Sequence, residues 1–317
     1  MKLERAKENP ILKPKKENWW ESEAVFNPGV TLFKGKILLL YRAIGEYLHY
    51  ISRFGLAESG DGIHFERKSK SPILIGEKPW EMGAIEDPRI TKIGEDYYIS
   101  YVCLEIPPRF KPSSDYKKKI FPRTALTKTR DFKNFKKLGI ITPPRADDRD
   151  VVIFPRKIKG KYLMFHRPYN WAGKEYGVKK PSIWLAESKD LVHWGNHRVF
   201  LEPRENEIKV GAGAPPVETG FGWIFVYHRV EEKPEKCYKA GLMILDKENP
   251  EKILADFYPV LTPETDYEKE GDTSNVVFPT GALIKDGKLF VYYGGGDKVC
   301  CLASIKLEEI KKGLKKP

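Results

Sequence analysis

One block recurs five times along this chain. Each copy has a proline, a short apolar stretch, a glycine-containing polar turn, and a second apolar run usually ending in aromatic residues. The copies run from Asn27-Pro28 through Lys34-Gly35-Lys36 to Tyr41, from Asp87-Pro88 through Gly94-Glu95-Asp96 to Tyr101, and from Phe154-Pro155 through Lys159-Gly160-Lys161 to His166. Two more run from Pro215-Pro216 through Gly220-Phe221-Gly222 to His228, and from Phe278-Pro279 through Asp286-Gly287-Lys288 to Tyr293. The prolines stand at steps of 60, 67, 61 and 63 residues. A fixed period of this size marks a repeat architecture. Turn residues between β-rich runs make each copy a hairpin.

Two further elements follow the hairpins. Asp61, Asp131 and Asp190 each precede an aromatic by four positions, namely Phe65, Phe135 and Trp194. An aspartate there caps turn donors while the aromatic packs inward. The third element is a short strand: Pro72-Ile73-Leu74, Ile140 to Pro143, Phe200 to Pro203, and Val260 to Pro263. Its fifth copy, Pro10-Ile11-Leu12, stands at the N-terminus. That displacement predicts an all-β, five-bladed β-propeller over residues 1–317, a single domain in which the N-terminal strand completes the last blade and removes an open edge. A β-sandwich does not explain the step. Only the tail, Ile305 to Leu314, reads as helix.

The net charge is +12. A basic balance is compatible with nucleic acid, a membrane surface or an anionic substrate. No basic run is interleaved with aromatics as a nucleic-acid groove requires, so no nucleic-acid partner is expected and the excess reads as a solvated surface. The longest apolar run, Ile37 to Tyr41, is too short for a membrane span, so no membrane partner is expected. MKLERAKENP lacks an apolar signal core, which makes the cytoplasm the default location. Cys103, Cys237, Cys300 and Cys301 fit neither a zinc nor a disulfide pattern and read as small buried residues.

In a propeller the innermost strands open onto a central channel. The hairpin starts therefore offer Asn27, Asp87, Arg149 with Asp150, Lys209 and Asn275 to the axis. The hairpin ends add Arg42, His166 with Arg167, His228 and Asp297. Any one of these satisfies a neighbour around the axis equally well. As a set they point to a ligand site, because converging charges need a reason.

These residues lie in motifs that resemble glycoside hydrolase family 130, the β-mannoside phosphorylases and related mannosidases. The carrying motifs are Phe26-Asn27-Pro28, Glu86-Asp87-Pro88-Arg89, Asp148-Arg149-Asp150-Val151 through Ile158, and His166-Arg167-Pro168. Further on come Lys209-Val210-Gly211-Ala212-Gly213, Gly222-Trp223 with Tyr227-His228, Asn275 through Pro279, and Tyr292-Tyr293-Gly294 with Asp297. The resemblance covers nearly the whole chain.

It implies that Asp87 is the general acid and that Arg149, Arg167 and Lys209, drawn from separate blades, bind phosphate with support from His228 and Tyr238. It implies that Asn27, Arg42 and Asp297 contact the mannosyl ring. Two guanidinium forks and an ammonium suit a concentrated anion. Inorganic phosphate is then a co-substrate, and no metal or organic cofactor is implied. The activity implied is inverting phosphorolysis of β-1,2- or β-1,4-linked manno-oligosaccharides to α-D-mannose 1-phosphate. A β-mannosidase using water and a non-catalytic glycan-binding propeller are the alternatives. Glu218 is the carboxylate that would serve water, or else pair with Lys209. Trp80 and Tyr101 are candidate sugar platforms, Tyr101 more readily core. His64 and His193 read as blade packing. The segment Ile106 to Phe121 reads as an insertion shaping the acceptor side. A homo-oligomer is compatible with all of this.

Overall fold

The computed structural model describes residues 1–109 and 121–314. The middle of the Ile106 to Phe121 insertion lies outside the described residues. Five antiparallel sheets follow one another along the chain, each strand beside its sequence neighbour. Blade 1 holds Ala24–Phe33, Lys36–Ile44, Ser52–Ser59 and Glu66–Arg67. Blade 2 holds Ala84–Ile93, Asp96–Leu104, Arg123–Thr129 and Lys136–Ile140. Blade 3 holds Asp148–Ile153, Tyr162–Pro168, Ile183–Ser188 and Trp194–Leu201. Blade 4 holds Glu207–Ala212, Gly222–Glu231, Cys237–Leu245 and Ile253–Leu261, with the short Val217–Thr219 paired to its second strand. Blade 5 holds Val277–Lys285, Lys288–Gly295 and Val299–Lys306.

The fourth strand of blade 5 is Glu4–Arg5, which pairs with Ser304 and Ala303. The N-terminus therefore closes the ring, as the displaced repeat element predicts. Leu12 adds one bridge to Cys300 further along. Arg5 grips Glu268 through Nε at 2.8 Å and Nη2 at 2.9 Å. Glu268 belongs to a short helix, Asp266–Lys269, that the sequence reading missed; the helix Leu307–Leu314 matches the expectation for the tail. No helix among the described residues is long and apolar enough to cross a membrane.

The core explains why five sheets need one another. Along Lys36–Ile44, Ile37, Leu39, Tyr41 and Ala43 pack toward blade 5, while Leu38 and Leu40 pack toward blade 2. Strand side chains alternate between faces, and here both faces are apolar. Equivalent apolar layers fill each of the other gaps between consecutive blades. Each blade is thus buried on both sides, and only ring closure gives every face a partner. Cys103, Cys300 and Cys301 are buried in these layers, while Cys237 is half-buried.

The inner strands do not run straight to the axis. Register shifts interrupt them between Phe26 and Gly29, Glu86 and Arg89, and Arg149 and Val152. Within these bulges Asn27, Asp87 and Asp150 take left-handed φ values of 48°, 52° and 57°. Asn and Asp tolerate this region better than other non-glycine residues. A bulge re-aims a side chain, and all three of these side chains line the central cavity. The repeat prolines are less regular than their spacing suggests. Pro28, Pro88 and Pro279 lie within inner strands, whereas Pro155 and Pro216 lie beyond them.

Candidate active site

The inner strands open onto a cavity of about 150 Å³. Its wall divides into two halves of different chemistry.

The first half is rich in carboxylates. Asp87 Oδ1 accepts hydrogen bonds from Asn27 Nδ2 at 2.8 Å and Arg42 Nη1 at 3.2 Å. Both come from blade 1, so blade 1 holds the acid of blade 2. Arg42 also pairs with Glu86 through Nη2. Its guanidinium lies 4.8 Å from the Phe26 ring centroid and 5.6 Å from that of Tyr50. Burial pushes the Glu86 carboxyl above its ordinary range; Arg42 opposes this and Asp87 adds to it. Asp297 completes this half from blade 5. Burial pushes its pKa up to about 6, against a hydrogen bond from Thr273 and the charge of Arg42, with Asp87 and Asp272 adding to the rise. Asn27 fits only because residue 294 is glycine: a Cβ there would stand 2.0 Å from Asn27 Oδ1.

The second half is rich in cations. Arg149 and Arg167 face each other directly across the first two strands of blade 3. Arg149 Nε donates to Asp147 at 2.9 Å, and Arg167 Nε donates to Asp150 at 2.7 Å. Among the described residues, all the side-chain hydrogen bonds these two arginines donate leave from Nε, so their terminal nitrogens remain for a ligand. Lys209, from blade 4, lies 5.1 Å from the Tyr238 ring centroid. Burial pushes its pKa down to about 7; Arg167, Arg149 and Lys236 reinforce this and Asp150 opposes it. An arriving anion would reverse that shift.

Beneath this half, Asp150 is held well below the ordinary carboxylate range. Burial would raise it, but Arg167, His228 and Arg89 outweigh burial. His228 is fully buried, 3.7 Å from Asp150, and neither ring nitrogen has a hydrogen-bond partner among the described residues. Its pKa is pushed down to about 3 by burial, opposed by Asp150 and reinforced by Arg167 and Lys209, which leaves the ring neutral. Gly211 allows this packing, because a Cβ there would meet Asp150 Oδ2 at 2.4 Å and His228 Cε1 at 2.5 Å.

The cavity brings together Asn27, Arg42, Asp87, Arg149, Arg167, Lys209, Tyr238 and Asp297. His228 lies behind the wall rather than in it. The three cations come from two blades, because Arg149 and Arg167 share blade 3. Asn275 contributes backbone instead: its carbonyl accepts from Tyr238 N at 2.9 Å. His166 points away from the cavity into a separate buried cluster. Trp80 packs in the layer between blades 1 and 2, and Tyr101 donates to Glu81 at 2.6 Å, so neither is a sugar platform. His64 and His193 are exposed and bond the capping Asp61 and Asp190 instead of packing between blades. Glu218 pairs with Arg156 and Lys247 at the surface, away from Lys209.

Two charged residues escaped the sequence reading of the site. Glu86 lines the cavity. Arg89 is fully buried and donates to Gly213 O at 2.8 Å and Asp150 Oδ1 at 3.1 Å, while lying 5.8 Å from the Phe278 ring centroid. It thereby ties blade 2 to blades 3, 4 and 5. A charged residue directly after an Asp-Pro bulge was the available signal.

Residues 2–316 match the family model described as β-1,4-mannooligosaccharide phosphorylase of the glycoside hydrolase 130 group. The 1,2-β-oligomannan phosphorylase of Thermoanaerobacter sp. (strain X514) is 38% identical over 98% of this chain and 99% of its own. The β-1,4-mannooligosaccharide phosphorylase of Ruminococcus albus is 30% identical over 95% of this chain and 88% of its own. Among solved structures, the β-1,2-mannobiose phosphorylase of Listeria innocua in complex with β-1,2-mannobiose superposes with a TM-score of 0.82 at 29% identity, covering 99% of both chains.

Proposed function

The chain belongs to glycoside hydrolase family 130, and from that premise we propose that it is an inverting β-mannoside phosphorylase with inorganic phosphate as co-substrate. One observation carries the reading: Arg149, Arg167 and Lys209 face the carboxylates of the opposite wall across one small cavity. A neutral glycan has no use for three converging cations, whereas phosphate does.

In this reading the mannosyl ring lies against Asn27, Arg42 and Asp297. Phosphate, held by the arginine Nη atoms and the Lys209 ammonium, attacks C1 from the side opposite the leaving sugar. The C1–O bond to the leaving sugar breaks as the O–C1 bond to phosphate forms. Asp87 supplies the proton that the departing oxygen takes. Its Oδ1 is held by Asn27 and Arg42, which leaves Oδ2 as the oxygen that turns to substrate. Single displacement inverts the anomeric centre, so the product is α-D-mannose 1-phosphate and a shortened glycan.

Water is disfavoured as nucleophile because the carboxylate on the attacking side, Asp150, is bound by both Arg167 and Arg89. A carboxylate held low by two guanidiniums is a poor general base. The test is incubation of β-1,2-mannobiose and β-1,4-mannobiose with and without phosphate. Cleavage dependent on phosphate, with mannose 1-phosphate as product, is expected for at least one linkage. The higher identity to the 1,2-β-oligomannan relative puts β-1,2 first. Equal cleavage without phosphate would exclude the reading.

A further inference from the structure

Arg149 and Arg167 sit directly opposite on neighbouring strands. Like charges in that position push the strands apart, and here they do so at strand ends, next to a bulge. Something must hold those ends in register. The residues on the reverse face are placed to do it. Asp148 precedes Arg149 and His166 precedes Arg167, so alternation sends both away from the cavity.

There they form a chain. His166 Nδ1 lies 2.7 Å from Asp148 Oδ2, and His166 Nε2 lies 3.0 Å from His197 Nδ1. Asp148 and His166 are completely buried. A carboxylate only accepts, so His166 Nδ1 carries a hydrogen toward Asp148, and one further hydrogen bond joins His166 Nε2 to His197 Nδ1. Burial and His166 push the pKa of His197 down to about 4, against a hydrogen bond with the Trp194 backbone, which keeps that ring neutral. Trp171 closes the cluster edge-on against both rings, at 6.0 Å from His166 and 5.4 Å from His197.

We propose that the Asp148–His166–His197 chain is a positioning device that fixes the spacing of the Arg149 and Arg167 guanidiniums for the phosphate. None of the three residues lines the cavity, so they act through the arginines. The proposal rests on the phosphorolytic reading. It requires that loosening the chain weakens phosphate capture while leaving the sugar half intact.

His166→Asn, His166→Leu and His197→Phe test it. The asparagine amide reaches the position of Nδ1 and can still donate to Asp148; leucine cannot. In the His166→Leu variant the KM for phosphate is expected to rise about tenfold or more, since small displacements of positioning groups carry large penalties. The KM for mannobiose should stay within about twofold. The His166→Asn variant should recover most of the phosphate KM. His197→Phe, at a half-buried outer position, keeps the ring shape without the N–H and should raise the phosphate KM by a few-fold; it carries the test if the His166→Leu variant does not fold. Equal movement of both KM values, no movement of the phosphate KM, or no recovery with asparagine would overturn the proposal. Failure of the wild-type protein to use phosphate at all would instead overturn the functional reading beneath it.

Discussion

The two halves of the cavity are built on opposite plans. In the half proposed for the sugar, Asp87, Arg42 and Glu86 are interlocked: Asn27 and Arg42 hold Asp87, and Glu86 holds Arg42. In the phosphate half the cations are under-paired. Arg149 and Arg167 each give only Nε to a carboxylate, and Lys209 is desolvated enough to sit near its titration point. A neutral ring needs fixed hydrogen-bonding geometry, and the links among Asn27, Arg42, Glu86 and Asp87 supply it before substrate arrives, although Asn27 Oδ1 and Arg42 Nε have no partner among the described residues. An anion brings the missing charge itself, so the other half is left incomplete until it binds.

The comparison breaks most visibly at Asp87. Asp87→Asn keeps a carbonyl for Asn27 and Arg42 but removes the proton donor. Phosphorolysis should fall by about 10³-fold, within the range for general acids, with phosphate affinity little changed. Mannose 1-phosphate release together with phosphate titration checks both. Next is Lys209→Met, which removes one charge-assisted contact. By the usual worth of such bonds, the KM for phosphate should rise roughly 10- to 100-fold. A parallel rise in the mannobiose KM would show that the halves are not separate.

The arginines sharpen the contrast further. Arg167→Met leaves buried Asp150 with one partner fewer and should destabilise the protein by about 3 kcal/mol. Arg149→Met, at the more exposed position, should cost less than about 1 kcal/mol. Urea unfolding separates the two. The glycines give matched steric probes. Gly294→Ala pushes on Asn27, and Gly211→Ala pushes on Asp150 and His228. Each should destabilise by about 1–3 kcal/mol through overpacking, but the first should raise the KM for mannobiose and the second that for phosphate.

The ring of blades was legible because apolar runs and glycine turns repeat and because one repeat element is displaced to the N-terminus. Those are local signals, and Glu4–Arg5 closes the ring as they require. The site was legible to the extent that its residues begin or end inner hairpins. What escaped is what depends on direction. Pro155 and Pro216 blurred the register. Glu218, Trp80 and Tyr101 were placed by nearness in sequence, yet strand alternation turns Glu218 and Tyr101 elsewhere, and Trp80 sits in a short 3-10 turn, Pro79–Glu81, packed between blades 1 and 2. Arg89 escaped because its partners, Asp150 and Gly213, lie 61 and 124 residues away. The left-handed bulges at Asn27, Asp87 and Asp150 were written in Asn-Pro and Asp-Pro pairs at only two of the three positions.

The smallest expected effect is also the most direct comparison, because the halves should titrate in different windows and with opposite sign. In the free protein Lys209 loses its proton near pH 7. As pH rises through that value the phosphate half loses a positive charge, so the KM for phosphate should rise several-fold between about pH 6 and pH 8.5. Inorganic phosphate ionises in the same range. Lys209→Arg, whose guanidinium stays charged, therefore serves as the reference, and its dependence should be flatter than that of the wild type. In the sugar half Asp297 gains a proton as pH falls through about 6. A neutral carboxyl accepts sugar hydroxyls less well, so the KM for mannobiose should rise below that value. Asp297→Asn should abolish this limb. Initial rates across pH, with each substrate varied in turn, measure both limbs. If both KM values share one inflection, the cavity titrates as a single unit and its two halves are not chemically independent.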